Sequence, residues 1–232
     1  MRLSCAGEAR QTHPEGQAKA WSIAVHRGAT VVAIATASEA AFDLSRFNEL
    51  SSAVTDALVL PEGADPWLRA WDCLRARQAE LGDDWEVSVS ASAIRLHAAA
   101  GTVGVSWLGG MQAILVRAGA VLHRTLPHTL GRELRRQGLP EAANADVGAF
   151  IITRCLTSKE RAAPEEVTWL VQPGDRILVM SLPLVRRRDD ARVRRAAQRP
   201  SPGDAAADLL GDEEGGDPPV GCVVVVVDVD ET

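Results

Sequence analysis

The chain has 232 residues, with 25 Lys and Arg against 31 Asp and Glu, a net charge of −6. Apolar residues make up 46% and charged residues 24%, an ordinary globular balance, and the acidic balance argues against non-specific nucleic-acid or membrane-surface binding. No apolar run approaches the roughly 18 residues of a transmembrane helix, and residues 1–16 lack a secretion signal's apolar stretch, so the expected location is cytoplasmic.

Residues 21–25 and 30–35 read as paired strands around Gly28. Residues 40–58 and 65–81 carry apolar side chains at helical spacing, with Phe42, Leu44, Phe47 and Leu50 in the first and Trp67, Leu68, Trp71 and Leu74 in the second. Residues 85–90 and 94–99 alternate as two strands. Residues 105–108 form a short apolar strand that stops at Gly109-Gly110. Residues 113–117 and 121–124 predict a hairpin turning at Ala118-Gly119, and residues 128–138 a short helix closed by Gly138. Residues 166–171 form a further strand. Residues 175–180 and 222–229 are β-branched or aliphatic runs that suit strands covered on both faces. The expected fold is α+β: two antiparallel sheets in a sandwich flanked by helices, as one domain over residues 1–232. Residues 186–199, rich in Arg, predict a solvated helix pair. Residues 200–219, holding Asp204, Asp208, Asp212, Glu213, Glu214 and Asp217, predict a flexible acidic loop before the last strand. Cys5, Cys73, Cys155 and Cys222 form no Cys-x-x-Cys pair, which suits reduced thiols.

The order of motifs resembles the bacterial metal-dependent Ser/Thr phosphatases of the type 2C family. The Gly109-Gly110-Met111 turn stands where that family has Gly-Asp-Ser. The following hairpin keeps Arg117, Gly119, Leu122 and Thr125, and Pro127-His128-Thr129-Leu130 opens the next helix. Residues 148–156 look like the family's Asn-x-Ile-Thr-Arg-x-Leu helix. Residues 171–184 look like its Gly-Asp-x-Leu-Leu-Leu-x-Ser-Asp-Gly-Leu segment, and residues 220–229 like its polyvaline strand.

Such enzymes hold two Mn²⁺ or Mg²⁺ ions with carboxylates, and the ions activate a water that attacks phosphorus. Carried over position by position, the resemblance puts the ligand sites at Glu15, Thr36, Ala37, Gly110, Leu182 and Val220, and of these only Glu15 is a carboxylate. The expectation is therefore no metal, no cofactor and no catalytic residue. Arg10, at the family's phosphate-binding Arg, and the Arg186 and Arg187 pair are the candidate phosphate contacts. The implied function is a pseudophosphatase, a binding or regulatory module in bacterial Ser/Thr phosphorylation signalling. Its partner would be a protein, either a Ser/Thr kinase or its phosphorylated substrate. The alternatives are an active phosphatase with a site rebuilt from Glu15, Asp175, Asp217 and a histidine, and a phosphate-independent assembly subunit.

Overall fold

The computed structural model describes residues 1–10, 18–26, 30–38, 44–59, 65–81, 87–139, 151–211 and 222–231. Among the described residues, ten strands lie in two antiparallel sheets. The first runs in the order β1 (Arg2–Arg10), β10 (Cys222–Asp230), β9 (Arg176–Ser181), β6 (Met111–Arg117), β7 (Ala120–Arg124). The second runs β2 (Ala18–His26), β3 (Thr30–Ser38), β4 (Val87–His97), β5 (Thr102–Leu108), β8 (Glu165–Leu170). Helices α1 (Leu44–Leu58) and α2 (Pro66–Leu81) cover the second sheet. Helices α4 (Leu182–Arg187), α5 (Asp190–Ala197) and α6 (Pro202–Leu210) cover the first, and the short α3 (Leu130–Arg136) follows β7. None of these helices is long and apolar enough to cross a membrane.

Period-two alternation explains the layers. Val223, Val225 and Val227 of β10 enter the core between the sheets, beside Ala113, Leu115, Ile177 and Val179. Val224 and Val226 point the other way, against Val193, Ala206 and Leu209 of the helical layer. A strand buried on both faces needs an apolar residue at every position, hence the valine run. Strand β4 is continuous where the sequence suggested two strands. Its N-terminal half puts Val87, Val89 and Ala91 against α1 and α2, while its C-terminal half puts Ile94 and Leu96 into the inter-sheet core. The apolar face changes sides midway, and the break in phase reads as a gap.

Three other expectations are corrected. Residues 151–156 are irregular, with two isolated β-bridges, and not helical. Ile152 bridges Thr129 and Leu156 bridges Val89, which commits their backbone groups to neighbouring segments. Within the stretch expected to be an acidic loop, Pro202–Leu210 is a helix that buries Ala205, Ala206, Leu209 and Leu210; residues 212–221 lie outside the described residues. The helix pair over residues 186–199 exists but is not wholly solvated. Arg188 donates from Nε to the Leu209 carbonyl at 2.7 Å, and Arg192 donates from Nη2 to the Gly211 carbonyl at 2.7 Å. Both guanidinium groups are buried caps for the last carbonyls of α6, which lack partners within the helix.

Candidate functional site at the Gly109–Gly110 turn

Gly109 and Gly110 join β5 to β6 at one end of the sandwich. Gly109 has φ of +80°, and a Cβ there would lie 2.2 Å from Ser90 Oγ and 2.9 Å from Ser90 Cα. Only glycine fits this approach to β4. The Ser90 hydroxyl accepts the Gly110 N–H at 2.9 Å. His128 Nδ1 accepts the Gly109 N–H at 3.1 Å, and the His128 backbone N–H returns a bond to the Gly109 carbonyl at 2.9 Å.

His128 is fully buried and stacked on Trp107, with centroids 6.1 Å apart. Since Nδ1 accepts, the ring proton belongs on Nε2. Nε2 sits 3.3 Å from Glu165 Oε1, a contact short of good hydrogen-bond geometry. Arg132 Nη2 donates to both Glu165 oxygens at 3.0 and 2.8 Å, and Arg154 approaches the carboxylate at 3.6 Å. The Trp107 indole N–H and Arg132 Nη1 both donate to the Leu126 carbonyl. One network thus ties the β5–β6 turn, the start of α3 and β8 together. Burial, assisted by the Arg154 charge, pushes the His128 pKa down. Burial of Glu165 acts to raise its pKa, but the Arg132 hydrogen bond and charge, with His128, outweigh it and hold the carboxyl below its usual value.

This geometry sets a pH dependence. Unfolded His128 takes up a proton near pH 6.5 and folded His128 only at lower pH, so the unfolded chain binds more protons across that interval. The stability this neutral ring contributes is present above pH 6.5 and falls as pH drops through the interval. Melting temperature measured from pH 8 to pH 5 is expected to fall faster in the native chain than in a His128→Asn variant, whose amide oxygen can still accept from Gly109. Parallel curves would show that His128 does not drive the loss.

The topology gathers the positions singled out in the sequence at this same end. Ser181 pairs with Met111, so Leu182 directly follows the level of the Gly109–Gly110 turn. A Cβ on Gly110 would lie 3.1 Å from Leu182 Cβ and 3.1 Å from Ile152 Cδ1. Ser181 Oγ accepts the Val223 N–H at 2.9 Å, which fixes the start of β10 beside it. Arg10 ends β1 opposite Cys222. On β3, Thr36 and Ala37 lie opposite Val89 and Ser88, next to the Ser90 that holds Gly110. The side chains of Arg10, Thr36 and Ala37, and all of Glu15 and Val220, lie outside the described residues. Arg186 and Arg187 are exposed in the last turn of α4.

No family model matches the chain, and no curated protein matches it in sequence. Solved structures do match over its whole length. The Mycobacterium tuberculosis Ser/Thr phosphatase PstP superposes with a TM-score of 0.78 at 22% identity, covering 100% of both chains. The Mycobacterium smegmatis phosphatase MsPP, solved with cacodylate, gives 0.75 at 22% identity over 99% of both chains. PppA, a regulatory component of the type VI secretion system of Pseudomonas aeruginosa, gives 0.72 at 15% identity over 98% of both chains. The fold is that of the type 2C Ser/Thr phosphatases. The catalytic domain of PstP has also been solved with two manganese ions.

The residues described at this end of the present chain do not suit such ions. Hard divalent cations need several oxygen ligands. Here Gly110 offers no side chain, Leu182 offers an aliphatic one, and a Cβ on Gly110 would also meet Ile152 at 3.1 Å. Among the described residues, no three His, Cys, Asp or Glu side chains converge as a metal site. Asp175, weighed as a replacement ligand, is buried at the far side of the hairpin and held by Arg117, with 2.7 Å bonds to each oxygen. Sequence reasoning missed Glu165, Ser90 and Arg132, which order the turn; Ser90 and Glu165 carry no motif of their own. His128 was legible as a helix-start position.

Proposed function

We propose that this chain is a catalytically inactive, phosphatase-like protein that acts by binding a protein partner, within bacterial Ser/Thr phosphorylation signalling and in the cytoplasm. The observation that carries this reading is that a side chain at Gly110 would run into Leu182 and Ile152, each 3.1 Å from where its Cβ would stand. Two positions that the resemblance would give to metal-holding carboxylates instead form an apolar floor, and this floor cannot activate a water at neutral pH. The turn around it is nevertheless kept in order by Ser90, His128 and Glu165. That combination supports a surface retained for recognition after loss of chemistry.

The test is a calorimetric titration with Mn²⁺ alongside turnover assays on p-nitrophenyl phosphate and a phosphopeptide. No stoichiometric Mn²⁺ site and no turnover above a blank are expected. A micromolar site, with turnover that disappears in Glu15→Ala, would overturn the proposal in favour of a rebuilt enzyme.

A further inference from the structure

Beside the apolar floor lies a cleft of about 700 Å³ between α3 and α4. Its floor is apolar: Leu182 and Val185 from α4, and Leu126, which leaves 51% of its surface exposed. Its walls carry Arg135 and Arg136 in the last turn of α3, and Arg186 in the last turn of α4. All three are exposed. Arg132 also reaches the cleft, but its charge is committed to Glu165. Arg136 leans on Glu133 at 3.4 Å, and Arg135 makes no ion pair among the described residues. Among the described residues, no Asp or Glu lines the cleft.

In a chain of net charge −6, this is a local reversal of sign over exposed apolar surface. Such a cleft attracts anionic partners over distance and repels the rest of a like-charged surface. Guanidinium groups present planar donor forks, and several of them converging suit a phosphate dianion better than one carboxylate, which a single fork already satisfies. The apolar floor adds a place for a neighbouring aliphatic or aromatic side chain, which free phosphate would not use.

We infer that the cleft between α3 and α4 binds a protein segment bearing phosphoserine or phosphothreonine, with the phosphate on Arg135, Arg136 and Arg186 and an adjacent apolar side chain on Leu126, Leu182 and Val185. This assignment rests on the binding function proposed above. It also moves the phosphate contact from Arg187 to Arg135 and Arg136 of α3, which belong to no motif fragment.

The experiment uses the full chain and an oriented peptide library with phosphothreonine fixed and flanking positions randomised, beside its unphosphorylated twin. The phosphorylated library is expected to bind at least tenfold more tightly and to select apolar residues near the phosphothreonine. The exposed double variant R135E/R136E should lose at least tenfold in affinity with an unchanged melting temperature. Binding should weaken as salt rises, since exposed guanidinium groups are screened. Equal binding of both libraries, no binding of either, or full binding by the double variant would each overturn the assignment. Free phosphate recovered from the library would instead overturn the inactive reading, so the two failures are distinguishable.

Discussion

Arg117→Ala is expected to cost about 3 kcal/mol of stability, the low end of the range for removing one partner of a buried ion pair, because the Arg117 side chain is 32% exposed. Asp175 is fully buried, and its two oxygens take Arg117 Nε and Nη2, both at 2.7 Å. Besides these it accepts only the Gln172 N–H at 2.9 Å among the bonds described around it. Arg117 ends β6, and Asp175 stands just before β9, so the pair locks the hairpin to the central strand of its sheet. Removing the guanidinium leaves a carboxylate in the protein interior without a counter-charge. The melting temperature should drop by about 10 °C, using roughly 2–4 °C per kcal/mol for a chain of this size. The double variant Arg117→Met/Asp175→Asn keeps an acceptor for Gln172 and removes both charges. It should recover most of the loss, because a buried pair replaced as a unit is often near neutral. A double variant as unstable as the single one would show that packing, not charge, sets the cost.

That pair also shows which parts of the fold are readable. Arg117 and Asp175 belong to two motif fragments that the sequence retains, the hairpin and the Pro-Gly-Asp turn, and the structure joins them in one bidentate contact. Gly119 is retained because Ala118 and Gly119 both turn with positive φ, at 47° and 78°. Thr125 is retained because its hydroxyl accepts the Ala113 N–H at 2.8 Å. Fragments that hold the scaffold survive, so the two-sheet sandwich and its flanking helices were legible in the sequence. What was not legible depends on long-range partners. Glu165 lies 37 residues beyond His128 by number, on an edge strand, and nothing local announces that it meets His128, Arg132 and Arg154. Arg188 and Arg192 looked like members of a solvated basic run, because burial of an arginine is set by the carbonyls it finds, here those at the end of α6. The expected helix at residues 148–156 failed over residues 151–156 for the same reason: bridges to Thr129 and Val89 overrode local preference.

Gly110→Asp is expected to destabilise the fold by about 3 kcal/mol and to leave it insensitive to Mn²⁺. The new Cβ would lie 3.1 Å from Leu182 Cβ, an atom fixed to the backbone of α4, and 3.1 Å from Ile152 Cδ1. Ile152 is 38% exposed and can turn outward, whereas Leu182 is 7% exposed and cannot. Overpacking of this kind costs roughly 1–3 kcal/mol. The carboxylate beyond the Cβ then sits against aliphatic surface, which adds a desolvation cost of a few kcal/mol unless the group protonates or reaches water. Melting temperature should fall by about 10 °C. Gly110→Ala should lose less, since it brings the overpacking without the charge, and the difference between the two isolates the desolvation cost. The decisive comparison is with metal. A site lacking one ligand would regain stability when that ligand is restored and ion is added, because an ion that binds only the folded state stabilises it in proportion to the logarithm of its concentration. The apolar packing around Gly110 predicts no such gain at millimolar Mn²⁺ for Gly110→Asp, and none for Gly110→Asp/Leu182→Asp, because no further ligand group converges there among the described residues. A melting temperature that rises with Mn²⁺ in either variant would mean that the remaining ligands are still in place, and that one or two substitutions suffice to rebuild a metal site.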